Sequence, residues 1–428
     1  MRGVSTAVLA AVPRRVRWPA WLATAAGMTL LLAVAGFEFV GWPFLAEPIQ
    51  QWLSTSLGRR VSFAVDGNTL ASVRVRLLGR LRIEAPQADI AAPAWSRGPS
   101  MLHARDVAMT ISYADLWRAH RGKPLRIRLL QAAEVDASFE RLADGRASWV
   151  FGRAAAVSQR HLFEAPLFDR LVADAGTLRY RDDPAQLRLN ARIAPTDPSA
   201  DPERAGMRVE VQGQWRDRPL RFALQSVGSL PWVERTADAP LVPVLVHLGF
   251  DDARLMFDGR AADLLHLAGL SGRFEAAGDS LAPLGELLGL TLPGRAAFDA
   301  AGAFGREDAG WRLSMERLAI GTSELQATLA LDRSRHPARL TGRIVGPRLM
   351  WGDLAPMPSW LAEAAQRGAP IAGSFDVPAL RDIDVDVHVD VGQADWRLPG
   401  VAPGPLQAHW RLARGRLAWN GPAASSPR

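Results

Sequence analysis

The sequence predicts a mostly β protein: an N-terminal transmembrane helix, a short membrane-proximal helix, then a long, mostly antiparallel sheet with small helical inserts. Three observations predict it. Residues 20–37, AWLATAAGMTLLLAVAGF, carry no charge. From Arg59 onward apolar and polar residues alternate with a period close to two. No long helical segment alternates with these strands, which argues against a parallel α/β architecture.

Composition sets the outer limits. The chain has 428 residues, 51 basic and 44 acidic, with a net charge of +7 and 48% hydrophobic residues. That apolar content excludes a disordered chain. The absence of Cys excludes a disulfide scaffold, a thiolate-ligated metal and a cysteine nucleophile. Lys123 is the only lysine, so Schiff-base chemistry has one candidate. Residues 1–130 hold 17 basic and 7 acidic residues, against 34 and 37 in the remainder. The positive excess belongs to the N-terminal third and calls for an anionic partner, either a membrane surface or nucleic acid.

The uncharged run decides between them. At 1.5 Å per residue, about 20 residues cross a hydrocarbon core. Arg14, Arg15 and Arg17 precede the run, and Trp18, Trp21 and Trp42 flank it. Cations mark the cytoplasmic side and aromatics the interfaces, which orients the rest of the chain outward. The competing reading is a cleaved signal peptide, with Ala33-Val34-Ala35 as the cleavage site, but the run exceeds the usual ~7–15-residue signal core. Export argues against nucleic acid and for lipid headgroups. Glu38, at the outer end of the span, reads as either an interfacial residue or a proton or ion site.

After the span, Ile49, Trp52, Leu53 and Leu57 have helical spacing and Gly58 is a helix stop. This helix either lies on lipid or caps the next domain. Strands follow: Val73, Val75 and Leu77 alternate with arginines, as do Leu125, Ile127 and Leu129. The clearest run is residues 383–391, IDVDVHVDV. Such runs are half-buried strands with one dry and one wet face. Ala143-Asp144-Gly145, Arg181 to Pro184, and Asp258-Gly259 supply turn chemistry. Residues 113–120, 280–290 and 360–366 read as short helical inserts. About 25 strands at ~4.8 Å give an upper length of ~120 Å.

The usual catalytic signatures (a GxSxG elbow, a Walker A loop, HExxH, a dinucleotide fingerprint) are missing from the sequence. The most metal-like group is Asp384, Asp386, His388 and Asp390, but period-two spacing spreads these along a strand face. Asp182-Asp183 reads as a turn rather than an acid/base pair. Arg59-Arg60 reads equally as a phosphate site or as a cation pair favoured by a helix C-terminus. The 15 tryptophans read as core and edge packing.

Taken in order, several segments resemble the AsmA family. Leu57 to Phe63 with Asp66-Gly67 is similar to the family's opening motif. Pro93-Ala94-Trp95 and Ala104 to Met109 resemble the next block, with Ala92 where Asn is usual. Leu142 to Trp149, LADGRASW, is similar to the D-G-x-x-N-W block, with Ser148 replacing Asn. Asp174 to Asp182 and Leu281 to Leu354 resemble later modules. The resemblance implies an inner-membrane protein facing the periplasm, with a repeating β-groove akin to TamB-like and YhdP-like relatives. It implies phospholipid moving through the groove toward the outer membrane, no cofactor and no catalytic residues. Expected segments are a cytoplasmic tail (1–19), an anchor (20–42), a membrane-proximal helix (43–58), the groove's start (59–153) and its repeating region (154–428), which ends early for the group. Strand parity makes Ile383, Val385, Val387, Val389 and Val391 the expected groove lining. Arg59 and Arg60 are the expected headgroup contacts. The rival function is an assembly factor for outer-membrane proteins that holds partners by strand addition.

Overall fold

The computed structural model describes residues 28–29, 32, 34–63, 73–121, 126–150, 167–197, 206–236, 238–283, 296–307, 310–354, 374–376, 383–395, 403–413 and 416–420. Most of the expected span and the expected insert at 360–366 lie outside them. Among the described residues no helix is long and apolar enough to cross a membrane.

The helix expected at 43–58 forms as a 3-10 turn, Pro43–Leu45, followed by an α-helix, Ala46–Leu57. Gly58 ends it in the left-handed conformation, and the N–H groups of Gly58 and Arg59 bond to Thr55 and Ser54 carbonyls. Ile49, Leu53 and Leu57 pack against Val61, Phe63, Val73, Val75 and Ile83. The helix therefore caps the sheet, while Trp52 on its other side is half exposed. The insert Tyr113–His120 is helical, as its sequence predicts.

Strands β1 (Val61–Ser62), β2 (Arg74–Arg76), β3 (Leu81–Ala91) and β4 (Ser100–Ile111) open the sheet. The parallel pair β5 (Arg126–Ile127) and β7 (Leu167–Phe168) brackets β6 (Leu129–Arg141) and precedes β8 (Arg170–Asp182). The middle holds β9 (Leu187–Pro195), β10 (Met207–Trp215), β11 (Arg218–Ser226), β12 (Val233–Glu234), β13 (Val242–Phe250), β14 (Ala253–Ala261) and β15 (Ser271–Gly278). The last group is β16 (Phe298–Glu307), β17 (Gly310–Ile320), β18 (Ser323–Asp332), β19 (Ala338–Met350), β20 (Ser374–Asp376), β21 (Ile383–Asp395), β22 (Gly404–Ala413) and β23 (Arg416–Asn420).

All except β5 and β7 join one sheet of 21 strands. Nearly every neighbour is antiparallel, but β6 pairs with β8, and β19 with β21, in parallel. The sheet is thus mixed, because a parallel pair requires the chain to cross back between its strands. Since β1 and β12 share edges with other strands, the ladder extends roughly 85 Å, short of the expected length. Asp258-Gly259 is not a turn but lies inside β14. Gly259 is needed there because a Cβ would stand 2.3 Å from the Ser271 carbonyl oxygen and 2.6 Å from the Phe257 ring.

Register carries apolar residues onto one face. A single row runs Ala137, Leu178, Ala191, Val211, Phe222, Leu248, Leu255, Ala276, Ala300, Leu318 and Leu325, each the direct partner of the next. The neighbouring row on the opposite face includes Thr177, Arg192, Glu210, His247, Glu275 and Arg317. Part of the apolar face is covered by two loops whose Leu230, Trp232, Leu264 and Leu270 pack onto Ile193, Val209, Leu224, Val244 and Phe257. Asp263, 1% exposed, holds these loops. Its carboxylate accepts the N–H groups of His266 (2.8 Å), Glu234 (3.3 Å) and Ala268 (3.4 Å). Replacing Asp263 by Ala should lower stability by about 1–3 kcal/mol, the cost of stranding buried donors. It should also raise binding of a hydrophobic dye. A urea midpoint and dye signal equal to wild type would show that the loops are held otherwise.

Candidate functional site

The candidate site is the apolar face, and its value lies in where it is left open. Between the helix-capped end and the loop-covered middle, Leu178, Tyr180, Leu189 and Ala191 are only half-buried. Farther along, Leu313, Leu331 and Leu340 are in the same condition. The segment 142–150 folds back beside the first gap. Trp149 stacks on Tyr180 at 5.6 Å and meets Phe139 edge-on at 6.1 Å. Ser148, fully buried, fixes this return: its hydroxyl accepts the Glu140 N–H at 2.9 Å, and its own N–H reaches the Glu140 carbonyl at 2.8 Å. Asp182 closes the adjacent turn. It accepts from Arg141 Nε (2.9 Å), Tyr180 Oη (3.1 Å) and the Ala185 N–H (3.0 Å), so its lone pairs are occupied structurally.

The expected lining residues occupy one strand, β21, at Ile383, Val385, Val387, Val389 and Val391. Val385 is half-buried, and its register partner Leu340 belongs to the open row. Val387, Val389 and Val391 are 4%, 4% and 0% exposed and pack with Leu325, Leu349, Leu406 and Ala408. These three form a filled interior; the open apolar surface lies at Leu189 and Leu313 instead. Ile383 pairs with Ala338 in the ladder.

Arg59 and Arg60 part company. Arg59 is half-buried with Nη2 3.5 Å from the Val150 carbonyl oxygen, and burial pushes its guanidinium down from the usual range. It ties the capping helix to the folded-back segment. Arg60 is exposed, and its carbonyl accepts the Ala91 N–H. A larger basic group lies elsewhere: Arg74, Arg76, Arg80, Arg82 and Arg128 line an open concavity of about 1470 Å³ at the foot of the sheet. Two further concavities, about 860 and 380 Å³, share Glu210 and Gln212 and are walled by polar-face side chains such as Arg179, Arg192, Arg221, Arg254 and Glu275. The larger also touches Val211, Phe222, Leu248 and Leu255 of the apolar row.

The metal-like strand residues converge more than their spacing implies. His409 on β22 stands directly opposite His388, with the rings stacked at 3.9 Å. Ligand atoms of Asp386, His388 and His409 lie within 4.8 Å of one another. Reading β21 alone misses His409, because its contribution depends on strand register. Two guanidiniums already occupy the cluster: Arg339 is 2.8 Å from Asp386, and Arg411 Nε is 3.3 Å from His409 Nε2. Their charge opposes a metal cation, and the cluster instead stitches β19, β21 and β22 together. The His409 imidazole at 2.7 Å and then the Arg339 guanidinium hold the Asp386 carboxyl below its ordinary value.

A carboxylate lowered in the fold stabilises above its unfolded pKa, and that stabilisation is lost as pH falls through the lower folded value. Asp386→Asn should therefore cost about 1 kcal/mol at pH 7, with the gap to wild type closing toward pH 3. Thermal melts at the two pH values check this; an equal gap at both would remove the carboxylate's charge as the cause.

No family model matches the chain, and comparison with curated proteins and with solved structures found no match.

Proposed function

We propose that the chain is a membrane-anchored lipid-binding protein that takes phospholipid acyl chains along the apolar face of its sheet. The observation that carries this is the row of directly paired apolar residues from Ala137 to Leu325, left half-open at two stretches. Apolar side chains left half-buried side by side on a sheet face are the kind of surface that takes an apolar ligand. Removing acyl chains from water contributes about 0.8 kcal/mol per CH₂, so acyl-chain contact with the two open stretches is favourable even though each spans only two or three strands. The order of AsmA-like motifs along the chain supports an inner-membrane, periplasm-facing setting and transport toward the outer membrane. The reading assigns binding and transfer, with no catalytic step.

The rival reading is strand addition to an outer-membrane protein. The ladder's ends among the described residues are β1 and β2 at one side and β20 at the other, two or three residues long each. Edges that short offer little backbone to an added strand.

The full chain, extracted from membranes in mild detergent, should retain phospholipid detectable by mass spectrometry. Leu189→Asp combined with Leu313→Asp should cut the retained amount by roughly half or more, since each places a charge on the open strip. Val387→Asp is a poor probe, because a charge at a 4% exposed position would unfold the interior. Folded protein with unchanged lipid content in the double variant would move the function to strand addition.

A further inference from the structure

We propose that the arginine-lined concavity at the foot of the sheet binds the phosphate of an anionic phospholipid in the bilayer that anchors the chain. This rests on reading residues 20–42 as a membrane anchor, not on the groove.

The concavity is rigidly attached to the end of the anchor. Residues 34–40 are helical, and Glu38 on the last turns accepts the N–H groups of Leu78 (2.9 Å) and Leu77 (3.1 Å) and the indole N–H of Trp42 (3.1 Å). Glu38 is therefore neither a free interfacial residue nor an open proton site; it is a clasp between helix and sheet. The Trp42 N–H bonds to the Val75 carbonyl at 3.0 Å. Gly41, at φ 89°, passes so close to β2 that a Cβ would meet Arg74 Cα at 3.1 Å. The Tyr113 hydroxyl bonds to the Leu77 carbonyl from the other side. Helix and arginines thus move as one body.

The charges within the concavity differ in availability. Arg82 is paired with Glu84, and Arg128 with Asp115 and Asp169. Arg74 and Arg80 are exposed and carry no ion pair among the described residues. Arg76 lies near Glu38, yet its Nε is buried without a hydrogen-bond partner. Such a donor calls for an acceptor that the protein does not supply. Three guanidiniums with free donor capacity suit a phosphodiester oxyanion.

The same concavity is rimmed by apolar side chains. Phe39 is 86% exposed, Leu78 81% and Val40 65%. A free phosphate would leave these surfaces in water. A bilayer lipid places its phosphate on the arginines while its acyl chains lie along the helix, which satisfies both features at once.

The test uses the full chain reconstituted in vesicles of zwitterionic phosphatidylcholine with a minor fraction of phosphatidylglycerol. Spin-labelled versions of each lipid report headgroup preference at the protein surface without relying on groove occupancy. The wild type should prefer the anionic lipid at least roughly fivefold, the scale of one arginine–headgroup contact. Arg74→Gln, Arg76→Gln and Arg80→Gln together should abolish the preference, while the three Lys replacements should keep most of it. Arg59→Gln with Arg60→Gln should leave it intact. No preference in the wild type, or a preference that survives the triple Gln variant with its melting curve preserved, overturns the proposal. So does competition by millimolar inorganic phosphate, which would identify a free-anion site. Total lipid retained on extraction reports the groove separately: its loss with headgroup preference preserved fails the groove reading alone.

Discussion

A sheet hydrophobic on one face must hide that face, and among the described residues no second large sheet does so. The substantial contacts between strands are all between ladder neighbours among the described residues. Two covers are visible instead. The helix Ala46–Leu57 closes the first end, and loops held by Asp263 close part of the middle. Each cover brings its own apolar side chains, and each needs polar fastening to stay in place. Sequence and fold meet at this point: the strands give an unbroken dry face, while the covers are few and local. Among the described residues, Leu189 and Leu313 belong to stretches that neither cover reaches.

The way the chain enters the sheet depends on the same constraint. The helical segment ending at Val40 lies beside Arg74, Arg76 and Arg82, on the polar side. The next helix lies on the apolar side, against Val73 and Val75. The chain must therefore cross the edge strand within a few residues. Gly41 makes the crossing sterically possible, and Glu38 makes it rigid by accepting backbone N–H groups that the strand end leaves unpaired. The Glu38 carboxylate acquires a structural role because a three-residue strand cannot satisfy its own backbone.

Much of the fold is legible because alternation is local. Period two in residues 383–391 or 208–212 needs no knowledge of neighbours, and the helices at 46–57 and 113–120 follow from spacing and a terminal glycine. What alternation cannot convey is direction. The parallel pairings of Leu130 with Leu171 and of Ala338 with Ile383 are set by crossing segments, while the strands themselves look like antiparallel ones. Nor does it tell an open face from a filled one. Val387 and Leu189 have the same pattern, yet one is packed among Leu325 and Leu406 and the other is half-open. Asp258-Gly259 has turn composition, but the glycine answers to the Phe257 ring beside it. His409 joins Asp386 only through register, and the foot arginines gather only because β2, β3 and the end of β4 are neighbours.

The two faces carry different kinds of interaction, and this makes their roles separable. Cross-strand ion pairs such as Arg105–Glu134, Arg317–Asp299, Arg339–Asp386 and Arg343–Asp390 adjust the ladder from the wet side. Each acts between directly opposed or diagonal positions, where charge pairs in sheets contribute most. Because successive side chains point to opposite faces, none of these groups enters the apolar strip. Conversely, a change at Leu189 or Leu313 leaves the ion pairs standing. The arginines at the foot and the apolar residues of the strip are thus different residues on different strands, Arg74 and Arg76 on β2 and Arg82 on β3 against Leu189 on β9 and Leu313 on β17. A substitution on the wet face therefore changes charge without altering the apolar strip, and one on the dry face alters the strip without removing an ion pair.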